Sequence, residues 1–414
     1  MYNRRRKEVP PGITAIRIVL ALVFIASGFL KGVDPWGSAI KINEYLTAFG
    51  MEWLSGMRYV LAIAQSAFEM WLGLMLLFNQ WRGFTRLFVL IFMVCFTLLT
   101  LIIALANPIS DCGCFGDAIP LTNWQTFFKN VVLLPLSIIL FLHTRKEIVT
   151  DAPRYGLILL LLALALFPNL HAMWSLPGID FLPYKVGANI PSKVYVAPED
   201  RGESHTTLIY RERETGQEHE FEVSDTTWYD SERWEFVDTR TVVLSEGKTP
   251  EITNFMIFGR EEDVTEEVLL AEEVFILVAD RLEEVDTKAA ERFARTARFA
   301  SDKGIRTICL TTSPLEQEAN FQQRIGVPVP CYNIDATTLK TMIRAHRGLI
   351  ILERGTVLAK MNLRRVPDFG KKEVDSGLEY VLSRYRAGGE KTYVLIYILI
   401  LAGLLVSGRN RCKD

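Results

Sequence analysis

Two cysteines separated by a single glycine, Cys112 and Cys114, are the residues of this chain best placed for covalent chemistry. They stand in the string Asp111-Cys112-Gly113-Cys114-Phe115-Gly116, directly after a long apolar run. Glycine permits the sharp backbone turn that brings two such sulfurs together. A disulfide closing so small a ring is strained and easier to reduce, which is the behaviour of an exchange site. The flanking residues argue the other way. Asp111 and Asp117 disfavour a thiolate, and no lysine or histidine stands close in sequence, so activation requires a residue such as Lys31 or Lys129 to approach in space. A static disulfide and a pair of reduced structural thiols stay open beside exchange. No metal site is expected, because two sulfurs need two further ligands and the loop has no histidine.

A second group of candidates lies inside apolar segments. Glu69 falls midway along one such segment, with Gln65 a turn earlier on the same face, while Arg17 and Lys31 mark the two ends of another. Charges in lipid are expensive, so Glu69 reads either as part of a proton or quinone-linked path or as interhelical glue bonded to Gln65, Arg17 or backbone. Among the remaining thiols, Cys309 sits in a strand pattern and reads as buried packing. Cys331 follows Pro328-Val329-Pro330 and reads as exposed, without an evident partner. Cys95 lies within an apolar segment and Cys412 in a basic tail.

These residues are positioned by membrane helices. Half of the 414 residues are hydrophobic and the net charge is −2, a balance that gives no support to nucleic-acid binding. A bilayer core needs roughly 20 apolar residues in helix. Six segments meet or approach that length: 13–30, 59–78, 87–106, 124–142, 155–174 and 392–406. Basic clusters occur at MYNRRRK, Arg82/Arg86, Arg145/Lys146/Arg154 and GRNRCKD, all on alternate sides. The positive-inside rule then places both termini in the cytoplasm, and the 107–123 loop and residues 175–391 outside, in the periplasm of a Gram-negative inner membrane. The first segment reads as a retained anchor rather than a cleaved signal.

The outer segment opens with short alternating strands, 206–211 with 219–223 as one hairpin and 234–237 with 241–244 as a second. From 250 the pattern becomes mixed. Strands are expected at 255–258, 274–279, 306–311 and 331–334. A hairpin of 348–352 with 357–361 follows, and helices are expected at 287–302, 315–325, 339–344 and 372–385.

Two resemblances follow from these residues. Arg17, Phe24, Gly28, Lys31 and Asp34-Pro35, with Glu69 and Gly73, resemble the first two helices of the DoxX/MauE-like four-helix membrane proteins, and the Cys112–Gly116 string resembles the CGCFG loop of the MauE branch. That resemblance implies redox work at the membrane in support of disulfide formation in secreted partners. The element order of the outer segment resembles thioredoxin-like domains of the TlpA/peroxiredoxin type. However, Asp280-Arg281-Leu282-Glu283-Glu284-Val285 stands where the CxxC would be, and His346-Arg347-Gly348 stands at the usual cis-proline. The combination is similar to DoxX-family proteins of Bacteroidetes-type envelopes.

The expected fold is therefore a polytopic α-helical membrane protein of six spans. Its parts are a four-helix bundle over 13–142, a fifth helix over 155–174, a small antiparallel β subdomain over 175–249, a periplasmic α/β thioredoxin-like domain over 250–388, and a sixth helix over 392–407. Two functions compete. The first is a non-enzymatic inner-membrane component whose degenerate thioredoxin-like domain docks an envelope or periplasmic protein. The second is a membrane thiol–disulfide factor acting through Cys112 and Cys114. No cofactor is expected on the first reading, and a quinone is the acceptor that the second allows. Membrane lipid is a partner on both.

Overall fold

A computed structural model describes residues 10–109, 111–144, 154–196, 204–222, 233–243, 249–260, 262–369 and Tyr397. The expected helices at 372–385 and 392–407 lie outside these residues, apart from Tyr397, as do the basic clusters at both termini and Cys412.

Among the described residues, five helices are long and apolar enough to cross a membrane. They are α1 (Pro11–Val33), α3 (Arg58–Leu77), α4 (Arg82–Ala106), α5 (Asn123–Thr144) and α6 (Tyr155–Trp174), and α2 (Pro35–Ala48) lies between the first two. The sequence reading passed over α2. Pro35 at its first position and the Asp34 carboxylate accepting from Gly37 N at 3.0 Å start this helix, which is too mixed in character to span a bilayer. Beyond it, Phe49, Met51, Trp53 and Met57 form an apolar lip, with Trp53 81% exposed.

Glycine sets the spacing of α1 against α3. A Cβ on Gly28 would come within 2.4 Å of Met70 N, and one on Gly73 within 2.7 Å of Ile25 N. Small residues let helix backbones approach this closely in a membrane bundle. Leu20, Phe24, Leu72, Leu76, Val89, Met93 and Leu140 close the core of α1, α3, α4 and α5. On the opposite side of α3, Met70, Leu74 and Met75 pack against Ile158, Leu161 and Ala165 of α6. Ser66 of α3 donates to Asn169 of α6 at 2.6 Å within that buried seam.

Outside the bundle lies a mixed α/β domain. Its strands are β4 (Glu273–Ala279), β5 (Arg306–Thr311), β6 (Cys331–Asn333), β7 (Arg347–Glu353) and β8 (Thr356–Asn362), in the order β6-β5-β4-β7-β8. The first three are parallel, while β7 pairs antiparallel with both β4 and β8. Both faces are covered, which is why β4 reads as one apolar run. Helices α9 (Thr287–Asp302) and α10 (Glu318–Ile325) close one face around Phe275, Phe293 and Phe321. Helices α8 (Thr265–Leu270) and α11 (Ala336–Met342) close the other around Ile276, Leu339 and Ile350.

Three sequence expectations need correction. Residues 255–258 make no strand, and only Phe258 forms isolated bridges. The segment from Leu176 to Ile190 packs on the α/β domain rather than with the small β subdomain. Leu176, Tyr184 and Ile190 enter its core, and Ile190 N bonds Gly355 O at 2.9 Å. A short helix, α7 (Pro191–Val194), follows that segment. The small sheet itself has three antiparallel strands in the order β2-β1-β3, from β1 (Ser204–Glu212), β2 (Glu218–Glu222) and β3 (Trp234–Val243). The expected second hairpin is thus one continuous strand, because β1 pairs with it along its whole length across a bulge at Ile209/Tyr210.

Candidate functional site

The loop that follows α4 folds back over the outward ends of α1 and α2. Asn107 leaves the helix in a left-handed conformation (φ 46°), and Pro108 prevents continuation. Asp111 then accepts from Gly113 N at 3.0 Å, and Gly113 takes φ 61°, open to glycine at no steric cost. This turn sets the Cys112 and Cys114 sulfurs 3.1 Å apart, both thiols being buried.

Around them the bundle supplies a polar lining. Tyr45 of α2 donates to the Cys112 carbonyl at 2.9 Å and to its sulfur at 3.2 Å. Ser27 of α1 lies 2.8 Å from the Cys114 carbonyl and 2.7 Å from Glu69 Oε2, so one hydroxyl links the loop to α3. Lys31 donates to both Glu69 oxygens at 2.7 and 2.8 Å, with the two side chains 7% and 3% exposed. A cavity of about 30 Å³ lies between Cys114, Ser27, Lys31, Glu69, Lys129 and Asn130. That is enough space for a water.

Burial and charge divide the two thiols. The hydrogen bond from Cys112 pulls Cys114 down to about 6 against the opposing effect of burial, and Lys129 and Lys31 act in the same downward direction. The same sulfur contact, with burial, pushes Cys112 well above the ordinary thiol range. Burial also raises the Tyr45 phenol, so it stays a donor to Cys112. The aspartates expected to suppress a thiolate are engaged elsewhere. Asp111 accepts from Lys41 at 2.8 Å, and Asp117 accepts from Arg344 at 2.8 Å.

The two sulfurs singled out in the sequence lie side by side, but their neighbours differ in part from those expected. Glu69 does meet Gln65, at 3.3 Å, yet its principal partners are Lys31 and Ser27. Arg17 does not reach it. Arg17 donates instead to the Leu76 and Leu77 carbonyls at 2.5 and 2.8 Å, closing the end of α3. Lys31 stands in the last turn of α1, as the sequence led one to expect, and is buried there. Ser27 and Tyr45 were missed; Ser27 is a lone hydroxyl in an apolar stretch and Tyr45 lies in a segment of mixed character, and only the packing of α1 and α2 gives each a role. Cys331 is buried rather than exposed and lies opposite Cys309 in the β5–β6 register, inside one apolar core. Among the described residues, no group of three or more His, Cys, Asp or Glu is arranged to hold a metal ion.

The outer domain reaches this loop directly. Arg344, beyond α11, is 4% exposed and donates to Asp34 at 2.9 Å as well as to Asp117. Asp34 and Asp117 help keep the guanidinium charged against its burial. Trp36 packs edge-on against His346 at 4.7 Å, and Lys340 sits 5.2 Å above its ring. Asp280 joins both, 2.6 Å from Lys340 and 2.9 Å from His346. The two stretches in which a redox motif was sought, after β4 and before β7, therefore meet each other against the bundle. In place of cysteine there is a 3-10 turn, Leu282–Glu284.

Comparison with known proteins bears on the bundle alone. Residues 10–143 match the family model described as Methylamine utilisation protein MauE, and this membrane-associated amino-terminal region is similar to that family. No curated protein and no solved structure matches the chain.

Proposed function

We propose that this chain, with its MauE-like amino-terminal region, is a membrane thiol–disulfide exchange factor in which Cys112 and Cys114 are the working pair. The observation that carries this reading is two sulfurs 3.1 Å apart in a glycine turn above a buried lysine–glutamate pair. A thiolate on Cys114 attacks a disulfide of a partner protein, giving a mixed disulfide and a partner thiol. Cys112 then loses its proton and displaces the partner's remaining sulfur, leaving the Cys112–Cys114 disulfide and a reduced partner. Oxidation of a partner dithiol instead opens the Cys112–Cys114 disulfide. Either direction moves two electrons between two dithiol–disulfide couples.

On this reading the α/β domain is a thioredoxin-like fold that has lost its own chemistry and serves as a docking part. The 107–123 loop faces the periplasm, and both termini face the cytoplasm. The alternating basic residues support that orientation. Labelling from outside intact cells of single cysteines placed in the α/β domain, but not of those in 143–154, is the matching result; labelling of both would overturn it.

A purely structural reading has one observation in its favour. The outer domain is seated on the bundle by Arg344 and lacks cysteines where a redox motif would lie. The two readings separate on the equilibrium of Cys112 and Cys114 with glutathione, read by mass spectrometry of the alkylated loop peptide. A potential of about −120 to −230 mV matches working exchange factors, and one below about −300 mV marks a structural bond and sinks the exchange role.

A further inference from the structure

The Lys31–Glu69 pair is costly where it stands. Charges taken out of water into a membrane interior lose solvation that their mutual attraction rarely restores in full, and an ionisable group there calls for a functional account. Packing alone does not require it, since apolar residues of similar volume often serve a buried position equally well. Its setting is specific. Glu69 holds Lys31 with two short bonds, Ser27 ties Glu69 to the Cys114 backbone, and Lys31 shares a water-sized cavity with Cys114.

Among the described residues, charged and titratable groups reach the sulfurs from four helices and from the loop itself. Lys31 comes from α1, Glu69 from α3, Lys129 from α5, and Tyr45 from α2. Asp111 and Asp117, on the loop itself, are held by Lys41 and Arg344. With Lys31 offset by Glu69, Lys129 remains as a counter-charge for one sulfur anion. Opening the disulfide supplies that anion; closing it leaves the lining with a surplus positive charge.

We infer that Lys129, standing beside the Lys31–Glu69 pair, is a positioning residue that favours the opened form of the Cys112–Cys114 pair, so that the closed form acts as an oxidant of partner dithiols. This rests on the exchange reading above and gives it a direction. A partner thiolate, its proton released to water, attacks the Cys112 sulfur. The Cys112–Cys114 bond breaks, and the electron pair leaves on Cys114, which faces the lysines. The second partner thiol closes the partner's disulfide and expels Cys112, which takes up that thiol's proton. The partner loses two electrons and the chain gains them. The sulfur whose anion is better stabilised leaves faster, which also suits Cys114 as leaving group.

The test uses the full chain in lipid nanodiscs, equilibrated with glutathione at neutral pH and quenched by alkylation. Lys31→Met takes a cation away from Cys114 and should shift the equilibrium constant toward the disulfide, by roughly tenfold for each 1.4 kcal/mol of thiolate stabilisation removed. Glu69→Gln leaves Lys31 positive and should shift it the other way. The double variant should return close to the starting value. Lys129→Met, which leaves the Lys31–Glu69 pair intact, should follow Lys31→Met. Damage to packing would move the single variants in the same direction. Shifts of one sign, or none, overturn the inference while leaving exchange intact. A wild-type chain that does not equilibrate with glutathione overturns exchange and the inference together.

Discussion

At Cys114, the neighbouring sulfur and two lysines from separate helices set the protonation state. The hydrogen bond from Cys112 lowers it most, and Lys129 and Lys31 add to that against burial. An ordinary cysteine titrates near 8.5, so its reactive fraction is small at neutral pH. With Cys114 at about 6 the sign is reversed. The thiolate predominates at pH 7 and is lost as pH falls through about 6. Alkylation of the reduced loop should therefore reach a plateau by pH 7 and decline below 6, with one sulfur modified before the other. A rate still climbing between pH 7 and 9 would show that the Cys114 thiolate is not stabilised in this setting. The two sulfurs were legible in the sequence because they sit within one turn of each other. Their electrostatics were not. The carboxylates nearest in sequence are bonded to Lys41 and Arg344, whereas Lys31 and Lys129 arrive from distant segments.

Among the elements, the α1–α3 seam decides whether Lys31 meets Glu69. Gly28 and Gly73 allow the two backbones to touch, and that contact fixes the register of both charged residues. Gly28→Ala forces a methyl group against Met70 N and the Ser66 carbonyl, neither of which can move aside as a flexible side chain would. Overpacking of this kind costs about 1–3 kcal/mol. The expected outcome is earlier unfolding in a detergent titration together with an altered pH profile at Cys114. Wild-type behaviour in both would mean that the seam does not set the site. Long apolar helices and the buried strand β4 were readable because their pattern extends over many residues. Helix α2 was not, because it is short and mixed in character. Strand β3 was misread at Asp238-Thr239-Arg240, a polar stretch that resembles a turn until β1 is known to lie opposite it.

For the molecule as a whole, Arg344 is the fastening between its two parts. It is buried, and it binds Asp34 at the start of α2 and Asp117 just past the cysteines. Removing one member of a buried ion pair leaves the others uncompensated, at a cost of about 3–5 kcal/mol. Arg344→Ala should release the outer domain and raise the alkylation rate of Cys112 and Cys114 severalfold. An unchanged alkylation rate would mean that the domain does not shield the loop. The apolar lip of Phe49, Met51, Trp53 and Met57, on the same side of the bundle as the sulfurs, has a separate consequence. Residues of this kind settle at the boundary between lipid and water. On the exchange reading, a thiol fixed at that depth would meet its reactants as they move along a surface. Its turnover then follows how many partners occupy each unit of membrane area, so that diluting the lipid rather than the buffer should slow it.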